Sequence, residues 1–350
     1  MFSLLSQTRC LPQTIGPLLK RSTRRLINTS QQTFSSRTLA NLIVTENTRV
    51  LYQGITGKAV SPIAEIKGTP NASKATGNAR ASILNGTKVV GGVSPGKGGT
   101  THLDLPVFNT VAEAANQVKP DASLIYVPAS GAANAIVEAI AAEIPLLVSL
   151  AEHVPVHDML KVHQVLRTQT ASRLLGPNCP GVIAPGKCRI GIIPHEQTSP
   201  GHVGIISRSG TMIYEALGAT EHAGLGQSLV IGLGGDMMPG TTMTEALQLM
   251  ISHQPTKMII LIGEIGGSSE LDAAVLIRLY RSSTPNPKPI IAIISGRTAP
   301  PGKVMGHAGA LLSSGEQGAE AKAQALQAAG AIVVPHLGAL VVELRKASAR

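Results

Sequence analysis

The stretch Val50-Leu51-Tyr52-Gln53-Gly54-Ile55-Thr56-Gly57 decides the fold of the first half of the chain. Four residues of strand character run into a turn with two glycines. Such a turn offers backbone N–H groups beyond the carboxyl end of a strand, where a phosphate can bind. The turn is not G-x-G-x-x-G, and the next strand ends in Val90-Gly91-Gly92 without an acidic residue. The missing carboxylate argues for a nucleotide-like cofactor other than NAD.

Short aliphatic runs alternate with alanine-rich helical stretches beyond this motif. In the first half, strands are predicted at residues 50–53, 88–90, 124–127 and 146–150. Helices are predicted between or after them, at residues 111–118, 132–142 and 157–168. This alternation predicts a parallel sheet of Rossmann type, covered by helices on both faces.

A second series of the same kind follows. Its strands are predicted at residues 204–206, 229–231, 258–262, 290–294 and 332–334, and its helices at 211–221, 241–251, 270–281 and 319–328. Proline and glycine are densest at residues 173–186, so we place the domain boundary there. The sequence therefore predicts two doubly wound α/β domains, residues 41–172 and 173–350. A composition with 43% hydrophobic but only 2% aromatic residues suits such aliphatic strands.

The first 40 residues are typical of a mitochondrial presequence. The formal net charge of the chain is +10, and residues 1–45 hold no Asp or Glu. They hold the basic residues Arg9, Lys20, Arg21, Arg24, Arg25 and Arg37. An Arg-rich, Ser/Thr-rich and acid-free leader predicts targeting to the mitochondrial matrix. A merely disordered tail is the alternative.

Charge and composition argue against several other classes of protein. Without those six basic residues, 24 basic residues face 20 acidic ones, so no nucleic acid is expected as a partner. No apolar run approaches the roughly 20 residues that cross a bilayer, and no membrane association is expected. Cys179 and Cys188 are too far apart for a C-x-x-C clip, and Cys10 lies in the leader. Neither a disulfide framework nor a metal site is therefore predicted.

Two glycine-rich loops fall short of a nucleotide triphosphate site. Both Gly91 to Gly98 and Gly181 to Cys188 contain G-x-x-x-x-G-K. The next residue is Gly98 or Cys188, where a P-loop has the Ser or Thr hydroxyl that binds magnesium. A phosphorylating nucleotide is therefore expected on another subunit.

The segment Met305-Gly306-His307-Ala308-Gly309-Ala310 places one imidazole among small residues, without a charged neighbour. Because the ordinary imidazole pKa is near 6.5, most of this side chain is unprotonated at neutral pH and can act as a nucleophile. The alternative is a loop histidine between glycines that only turn the chain.

A junction of strand and helix is predicted at Ser207-Arg208-Ser209-Gly210-Thr211. Unpaired N–H groups, small hydroxyls and the positive end of the helix dipole meet there, which suits a phosphate. A plain Ser/Thr helix cap is the alternative.

Together with Gly176-Pro177-Asn178-Cys179-Pro180-Gly181 and Gly263-Glu264-Ile265-Gly266-Gly267, these motifs in this order resemble the α subunit of succinyl-CoA synthetase (succinate–CoA ligase). The resemblance runs from about residue 47 to about residue 344. It implies an N-terminal Rossmann-type domain that binds coenzyme A, followed by a flavodoxin-like ligase domain that carries a phosphohistidine. With the presequence, it implies the mitochondrial type.

The resemblance also implies roles for single residues. His307 would carry the phosphoryl group, and Glu264 would accept a hydrogen bond from Nδ1–H of its ring, which fixes the tautomer and supports the imidazolium. The residues implied for coenzyme A are Thr56, Gly57, Lys58, Ala59, Lys97, Leu150, Ala151 and Glu152. The last three of these stand where the family has Ile-Thr-Glu. The residues implied for phosphate and substrate are Ser207, Ser209, Gly210, Thr211 and Tyr214.

The activity that the resemblance implies is succinyl-CoA + phosphate + NDP ⇌ succinate + CoA + NTP, a step of the tricarboxylic acid cycle. A β subunit of ATP-grasp type would hold the nucleotide and magnesium, and would decide between ADP and GDP. Three alternatives stay open: a related acyl-CoA ligase for another acid, an NAD-dependent Rossmann oxidoreductase and a catalytically silent CoA-binding subunit. Departures such as Pro194-His195-Glu196 and Glu152-His153-Val154 favour the last of these.

The chain also differs from the family in length between Gly57 and Gly86, where it is longer by about fifteen residues. The extra segment is predicted at residues 59–73, in the loop expected to bind CoA phosphates. Such a length is unusual for a connection between strand and helix in a compact domain. A tolerated surface insertion, a displaced CoA loop and an unspliced segment of the gene model are the alternatives.

Overall fold

The computed structural model describes residues 37–57, 74–313 and 315–349. Three predictions lie outside these residues: most of the leader, the CoA-binding roles of Lys58 and Ala59, and the insertion at residues 59–73. At the end of the predicted leader, Thr38 and Leu39 are buried, and the Arg173 guanidinium donates a hydrogen bond to Thr38 Oγ1 at 3.0 Å. These two residues therefore pack against the body of the protein.

The first sheet has seven strands in the order β3-β4-β2-β1-β5-β6-β7. They are β1 (Arg49–Gln53), β2 (Lys88–Val93), β3 (Thr101–His102), β4 (Leu105–Phe108), β5 (Ala122–Ile125), β6 (Leu146–Ser149) and β7 (Arg173–Leu175). All pairs are parallel except β3 with β4. Apart from the short β3, the order is the 3-2-1-4-5-6 of a Rossmann sheet. The predicted fold of this half is confirmed.

The helices of this half connect the parallel strands, as strands of one direction require. They are α1 (Lys74–Leu84), α2 (Val111–Val118), α3 (Ala129–Ala141) and α4 (Val156–Leu166). The chain turns back across β1, which pairs with β2 on one side and β5 on the other. The turn after β1 therefore lies at the topological switch point of the sheet, where ligands of such folds bind.

The second sheet has the order β14-β13-β12-β10-β11-β8-β9. Its strands are β8 (Gly181–Ala184), β9 (Cys188–Gly191), β10 (Pro200–Ser207), β11 (Gln227–Gly232), β12 (Met258–Gly263), β13 (Ile290–Ile294) and β14 (Ile332–Val333). Its parallel part, β11-β10-β12-β13-β14, has the flavodoxin-like order 2-1-3-4-5. The predicted fold of this half is also confirmed.

The helices of the second half are α5 (Gly210–Ala223), α6 (Met243–Ser252), α7 (Ser269–Ser283), α8 (Ala319–Ala328) and α9 (Leu340–Ser348). They cover both faces of strands such as β12, in which all six residues are buried. In the part of the chain that the structure describes, no helix is both long and apolar enough to cross a membrane.

The predictions missed helices α1 and α9, strands β3, β4 and β7, and the hairpin β8–β9. Helix α1 has little apolar periodicity and the C-terminal helix α9 is short, while strands β3 and β4 are only two and four residues long. The antiparallel hairpin β8–β9 joins the edge of the second sheet through β11. Its strands are four residues each, too short for a clear alternation in the sequence.

The two sheets meet where the chain passes from one to the other. Strand β7 (Arg173–Leu175) pairs with the first sheet, and β8 begins the second at Gly181. The division expected at residue 173 therefore precedes a strand of the first sheet, and the change of sheet falls within the predicted boundary region. Arg189 on β9 donates hydrogen bonds to Asn78 and Ser82 of α1, so a buried cation joins the two halves.

Candidate active site

Arg208 and Glu264 directly follow two neighbouring strands, β10 and β12, at the carboxyl edge of the second sheet. Ser207, the last residue of β10, is in register with Ile262 of β12. The backbone N–H of Arg208 donates to the Ile262 carbonyl at 3.1 Å. Because β10 lies between β11 and β12, Arg208 and Glu264 emerge at the switch point of this sheet.

His307 lies in the long loop between β13 and α8 and contacts Glu264. Its Nδ1 is 2.8 Å from Glu264 Oε2, and the two residues are 43 positions apart in sequence. An ionised carboxylate only accepts hydrogen bonds, so Nδ1 carries the proton and the neutral ring presents its lone pair on Nε2. The imidazole is 24% exposed and the carboxylate 5%, so the ring can be reached while its partner is shielded.

Arg208 gives Glu264 a second partner. Its Nη2 lies 3.2 Å from Glu264 Oε1, an ion-pair contact that lacks the direction of a hydrogen bond, and Oε1 has no hydrogen-bond donor in the described structure. Both side chains are buried. The guanidinium thus lies on the side of the carboxylate opposite the oxygen that contacts His307.

The surroundings shift the pKa of His307. The hydrogen bond to Glu264 raises this pKa above the ordinary 6.5, and the negative charges of Glu264 and Glu152 act in the same direction. Partial burial and the positive charge of Arg208 oppose the shift. The arrangement therefore stabilises a charged imidazole, the form that a phosphorylated ring resembles.

Two glycines, Gly235 and Gly266, allow the His307 loop to pack closely against the turns that follow β11 and β12. A Cβ at Gly235 would overlap the His307 ring, and one at Gly266 would overlap the Gly309 carbonyl. The Gly309 N–H donates to the Gly235 carbonyl at 3.0 Å. A cavity of about 220 Å³ adjoins the loop and is lined in part by Arg208, Asp236 and Gly309. The loop thus docks on two neighbouring glycine turns through backbone contact.

The predicted phosphate residues lie at the start of α5. Ser209 is the N-cap, and its hydroxyl accepts from the Met212 N–H at 3.4 Å. Ser207 is buried and bonds within the turn to Ser209, whereas Thr211 is exposed. Among the described residues, no hydrogen bond joins this turn to His307. The structure therefore supports the helix cap directly, and the phosphate role stays a prediction.

The first sheet forms a separate polar cluster at the carboxyl end of β1. Lys97 Nζ donates to Thr56 Oγ1 at 2.9 Å, and Thr56 Oγ1 donates to Ser94 Oγ at 2.9 Å. Gly54 has φ +82° and an added Cβ would meet the Tyr126 carbonyl, so this turn requires glycine. Gly57 closes the turn by donating to the Gly54 carbonyl at 3.0 Å. Two predicted CoA residues, Thr56 and Lys97, therefore come together from different loops.

His102 extends this cluster and was not predicted. Its Nε2 lies 2.9 Å from Thr76 Oγ1. Burial and the positive charges of Lys97 and Arg80 lower its pKa below the ordinary value. Two cations and a neutral imidazole near one turn form a surface that suits phosphate groups.

Four predicted residues remain: Leu150, Ala151 and Glu152, which follow β6, and Tyr214 on α5. Leu150 and Ala151 follow β6 and are partly buried, and the Ala151 carbonyl accepts from the Asn178 N–H at 2.8 Å. Glu152 is exposed and close enough to His307 to raise its pKa. Tyr214 on α5 is 38% exposed and is not part of the His307–Glu264 contact. Glu152 is thus a residue predicted for CoA binding whose charge also acts on His307.

Glu270 and Lys322 were missed although both are fully buried beside Glu264. A signal was available in the sequence. Glu270 precedes the buried Ala273, Ala274 and Ile277 on one face of α7. Lys322 lies among the buried Ala319, Ala323 and Leu326 on one face of α8. A charged residue at the apolar positions of a helix indicates a buried charge that needs a partner.

Comparison with protein families gives two matches along the chain. Residues 45–153 match the model described as a CoA binding domain. Residues 206–332 match the model described as CoA-ligase. The first match covers the Thr56–Lys97 cluster, and the second covers Arg208, Glu264 and His307.

Curated relatives match over most of the chain. Subunit alpha 1 of an ADP-forming succinate–CoA ligase from Archaeoglobus fulgidus is 44% identical over 305 residues, 87% of this chain and 97% of the relative. Subunit alpha of the ADP-forming enzyme from Staphylococcus aureus is 41% identical over 309 residues, 87% of this chain and 95% of the relative.

Solved structures share the fold at lower identity. ATP citrate lyase from Methanothrix soehngenii, in complex with citrate and coenzyme A, matches with a TM-score of 0.69 at 22% identity. The match covers 88% of this chain and 50% of that one, so this chain spans half of its length. The apo form of a dinucleotide-forming acetyl-coenzyme A synthetase from Ca. Korarchaeum cryptofilum matches with a TM-score of 0.61 at 19% identity, over 84% and 61% of the two chains.

Proposed function

The chain belongs to the succinate–CoA ligase α-subunit family, and from that premise we propose that it interconverts succinyl-CoA, phosphate and NDP with succinate, CoA and NTP through a phosphohistidine at His307. The observation that carries the mechanism is the 2.8 Å contact between His307 Nδ1 and Glu264 Oε2. It directs the lone pair of Nε2 away from Glu264 and toward a reacting phosphorus.

The chemistry divides into three transfers. Phosphate attacks the thioester carbon, the C–S bond breaks, and CoA leaves as succinyl phosphate forms. His307 Nε2 then attacks phosphorus, the P–O bond to the succinyl group breaks, and succinate leaves with the electron pair. In the third step a terminal oxygen of NDP attacks phosphorus, the P–N bond breaks, Nε2 regains its lone pair and NTP leaves. Glu264 accepts a hydrogen bond from Nδ1–H throughout and stabilises the positive ring, so this residue accounts for part of the stabilisation of the two transition states that involve His307.

The cluster at β1 supports a CoA site on this chain. Lys97, Thr56 and the turn of Gly54 and Gly57 offer a cation, a hydroxyl and backbone N–H groups. These are the groups that bind phosphates at the switch point of a Rossmann sheet. CoA would lie there, with its thioester end directed toward the edge that carries Glu152 and the histidine site.

A second subunit completes the proposal. The relatives are named as alpha subunits, and both Gly-Lys loops of this chain lack the hydroxyl that binds magnesium in a P-loop. A β subunit, of ATP-grasp type, would hold the nucleotide and Mg²⁺. Calorimetry on the isolated chain should detect no ATP or GTP binding, and tight binding without the partner would contradict this division of labour.

We also propose that the acid-free leader directs the chain to the mitochondrial matrix. The support is the composition of residues 1–45 alone, because the relatives named above are archaeal and bacterial and argue against an organellar address. Fusing residues 1–45 to a fluorescent reporter tests it. Cytosolic fluorescence would contradict the proposal.

The deciding experiment uses the chain co-purified with its β partner. Incubation with labelled NTP or with succinyl-CoA and phosphate should place acid-labile, base-stable phosphate on the wild type. His307→Asn should lose the label while CoA binding and the thermal midpoint persist. Turnover in that variant would contradict the relay, and a panel of carboxylic acids distinguishes succinate from another acid.

A further inference from the structure

Behind the Glu264–His307 contact lies a group of three buried charged residues, Arg208, Glu270 and Lys322, which we call the buried frame. Lys322 Nζ lies 2.5 Å from Glu270 Oε2, and both side chains are fully buried. Arg208 Nη1 lies 3.1 Å from Glu270 Oε1. The carboxylate of Glu270 thus bridges two cations that come from β10 and α8.

The buried frame binds the backbone on both sides of Glu264. The Glu264 N–H donates to Glu270 Oε1 at 3.1 Å. Lys322 Nζ donates to the Glu264 carbonyl at 2.9 Å. The N–H and the carbonyl of Glu264 are therefore both held by side chains of the buried frame. A fixed backbone limits how far the Glu264 carboxylate can turn away from His307.

The same frame fixes the turn on which the His307 loop docks. The Gly266 carbonyl accepts from Lys322 Nζ at 2.9 Å and from Arg208 Nη1 at 3.1 Å. A Cβ at Gly266 would overlap the Gly309 carbonyl, so this turn and the His307 loop are in direct contact. One set of charges therefore positions both partners of the catalytic contact.

A buried ion pair is a poor way to gain stability, because removing two charges from water costs about as much as their attraction returns. Hydrophobic residues of similar volume could fill the same space. The Glu270–Lys322 pair lies directly behind Glu264. A precise catalytic site requires such supporting groups, because they hold the residue that contacts the nucleophile, here Glu264 beside His307.

We propose that Glu270 and Lys322 are positioning residues that hold the Glu264 carboxylate against Nδ1 of His307. The proposal rests on the function proposed above. Neither residue touches the reacting atoms. Both bind the peptide of Glu264, and Glu270 also pairs with the guanidinium of Arg208.

The test separates position from charge by means of two opposite substitutions. Glu270→Gln keeps the size of the side chain and removes a negative charge, whereas Lys322→Met keeps the length and removes a positive one. A charge effect alone would lower the pKa of His307 in the first variant and raise it in the second. Loss of position turns Glu264 away from the ring, so the pKa should fall in both variants.

The readouts are the His307 imidazole pKa, from NMR of the full chain with ¹⁵N-labelled histidine, and the rate of His307 phosphorylation in the complex with the β partner. The resonance is assigned with His307→Asn. We expect both substitutions to lower the pKa and to slow phosphorylation by about 10-fold or more, since small displacements of catalytic groups have such effects. Lys322→Arg should recover part of both.

Glu245→Gln is the matched control. It removes one charge from a second ion pair of low exposure, in which Arg173 Nη1 lies 2.9 Å from Glu245 Oε1 on α6. It should lower the thermal midpoint without changing the His307 pKa. If Lys322→Met does not fold, Glu270→Asp decides, because it keeps the charge and shortens the side chain. The pKa of His307 should still fall, and an unchanged pKa and rate in that folded variant would overturn the proposal.

The NMR readout does not depend on phosphoryl transfer. If the wild type is never phosphorylated while the pKa of His307 falls in both variants, the proposed function fails and the positioning role stands. If the wild type is phosphorylated and the pKa falls in Glu270→Gln but rises in Lys322→Met, the positioning role fails and the function stands.

Discussion

At the scale of single residues, the contact between His307 and Glu264 has two opposed effects on the nucleophile. It fixes the tautomer that leaves Nε2 with a lone pair, and it raises the pKa of the ring. A raised pKa means that a larger fraction of the ring is protonated near neutral pH. Phosphorylation by succinyl phosphate should therefore accelerate as pH increases through a pKa above the ordinary imidazole value.

Glu264→Gln should change this profile in both its height and its position. The amide keeps the size of the side chain but no longer supports the imidazolium, so the limiting single-turnover rate should fall by about 10²-fold or more. The pKa of His307 should decrease, which moves the inflection of the rate profile to lower pH. Stopped-flow measurements between pH 5 and 9 check both effects. An unchanged rate would mean that Glu264 is only a structural partner.

Gly235→Ala should displace the His307 imidazole while Glu264 and Arg208 stay unchanged. The new Cβ would overlap the His307 ring, so ring or loop must move, and phosphorylation should slow by about 10²-fold, as other small misplacements do. The control is Gly218→Ala in helix α5, where nothing lies within 4 Å of an added Cβ. That variant should keep its rate and gain up to about 1 kcal/mol of stability. Equal rates in both variants would contradict the tight seat of His307.

At the scale of helices and strands, local patterns predicted most of the elements but not how distant ones meet. The strands β10, β12 and β13 were evident because buried parallel strands are continuous aliphatic runs. The short hairpin β8–β9 and helix α1 have no such pattern. Glu264 and His307 are 43 residues apart, and in the sequence only the family resemblance indicated that they lie close together. Lys322 stands among the apolar positions of α8, which indicates burial, but its partner Glu270 lies on a different helix and no local pattern joins the two.

Arg189 should be the main polar tie between hairpin β8–β9 and helix α1. Its guanidinium donates to the Asn78 side chain at 3.1 Å, to Ser82 Oγ at 3.1 Å and to the Ile193 carbonyl at 2.6 Å. Arg189→Met keeps the apolar stem and removes the guanidinium donor from these acceptors, of which Ser82 and the Ile193 carbonyl lie in buried residues. We expect a loss of about 1–3 kcal/mol in unfolding free energy by urea denaturation.

The exposed Arg278 on α7 supplies the control for this element. Arg278→Met should change the unfolding free energy by less than about 0.5 kcal/mol. If the two variants are equally stable, the hydrogen bonds of Arg189 contribute nothing net, and the other contacts between the two halves of the chain join them.

At the scale of the whole molecule, the two switch points have different tasks that must be coordinated. The β1 turn carries the groups suited to CoA phosphates, and the carboxyl edge of β10 and β12 carries the histidine site. Glu152 follows the first sheet yet acts on the pKa of His307 in the second. If CoA binds at the β1 turn as proposed, its thioester end has to reach the histidine site, and a change that moves the β1 turn should affect thioester binding before it affects the histidine.

The insertion at residues 59–73 is the segment in which this requirement can be tested. It follows the turn of Thr56 and Gly57, and Thr76 in the first turn of α1 still donates to the Ile55 carbonyl at 3.1 Å. The described ends of the segment thus lie close together, and extending a loop whose ends are fixed costs little, about 0.6 kcal/mol for each doubling of length. Deleting residues 59–73 should keep the thermal midpoint and keep or improve CoA affinity by calorimetry. Deleting 60–73 is the control that retains Ala59. A large loss of affinity in both would show that the insertion itself contributes to the CoA site.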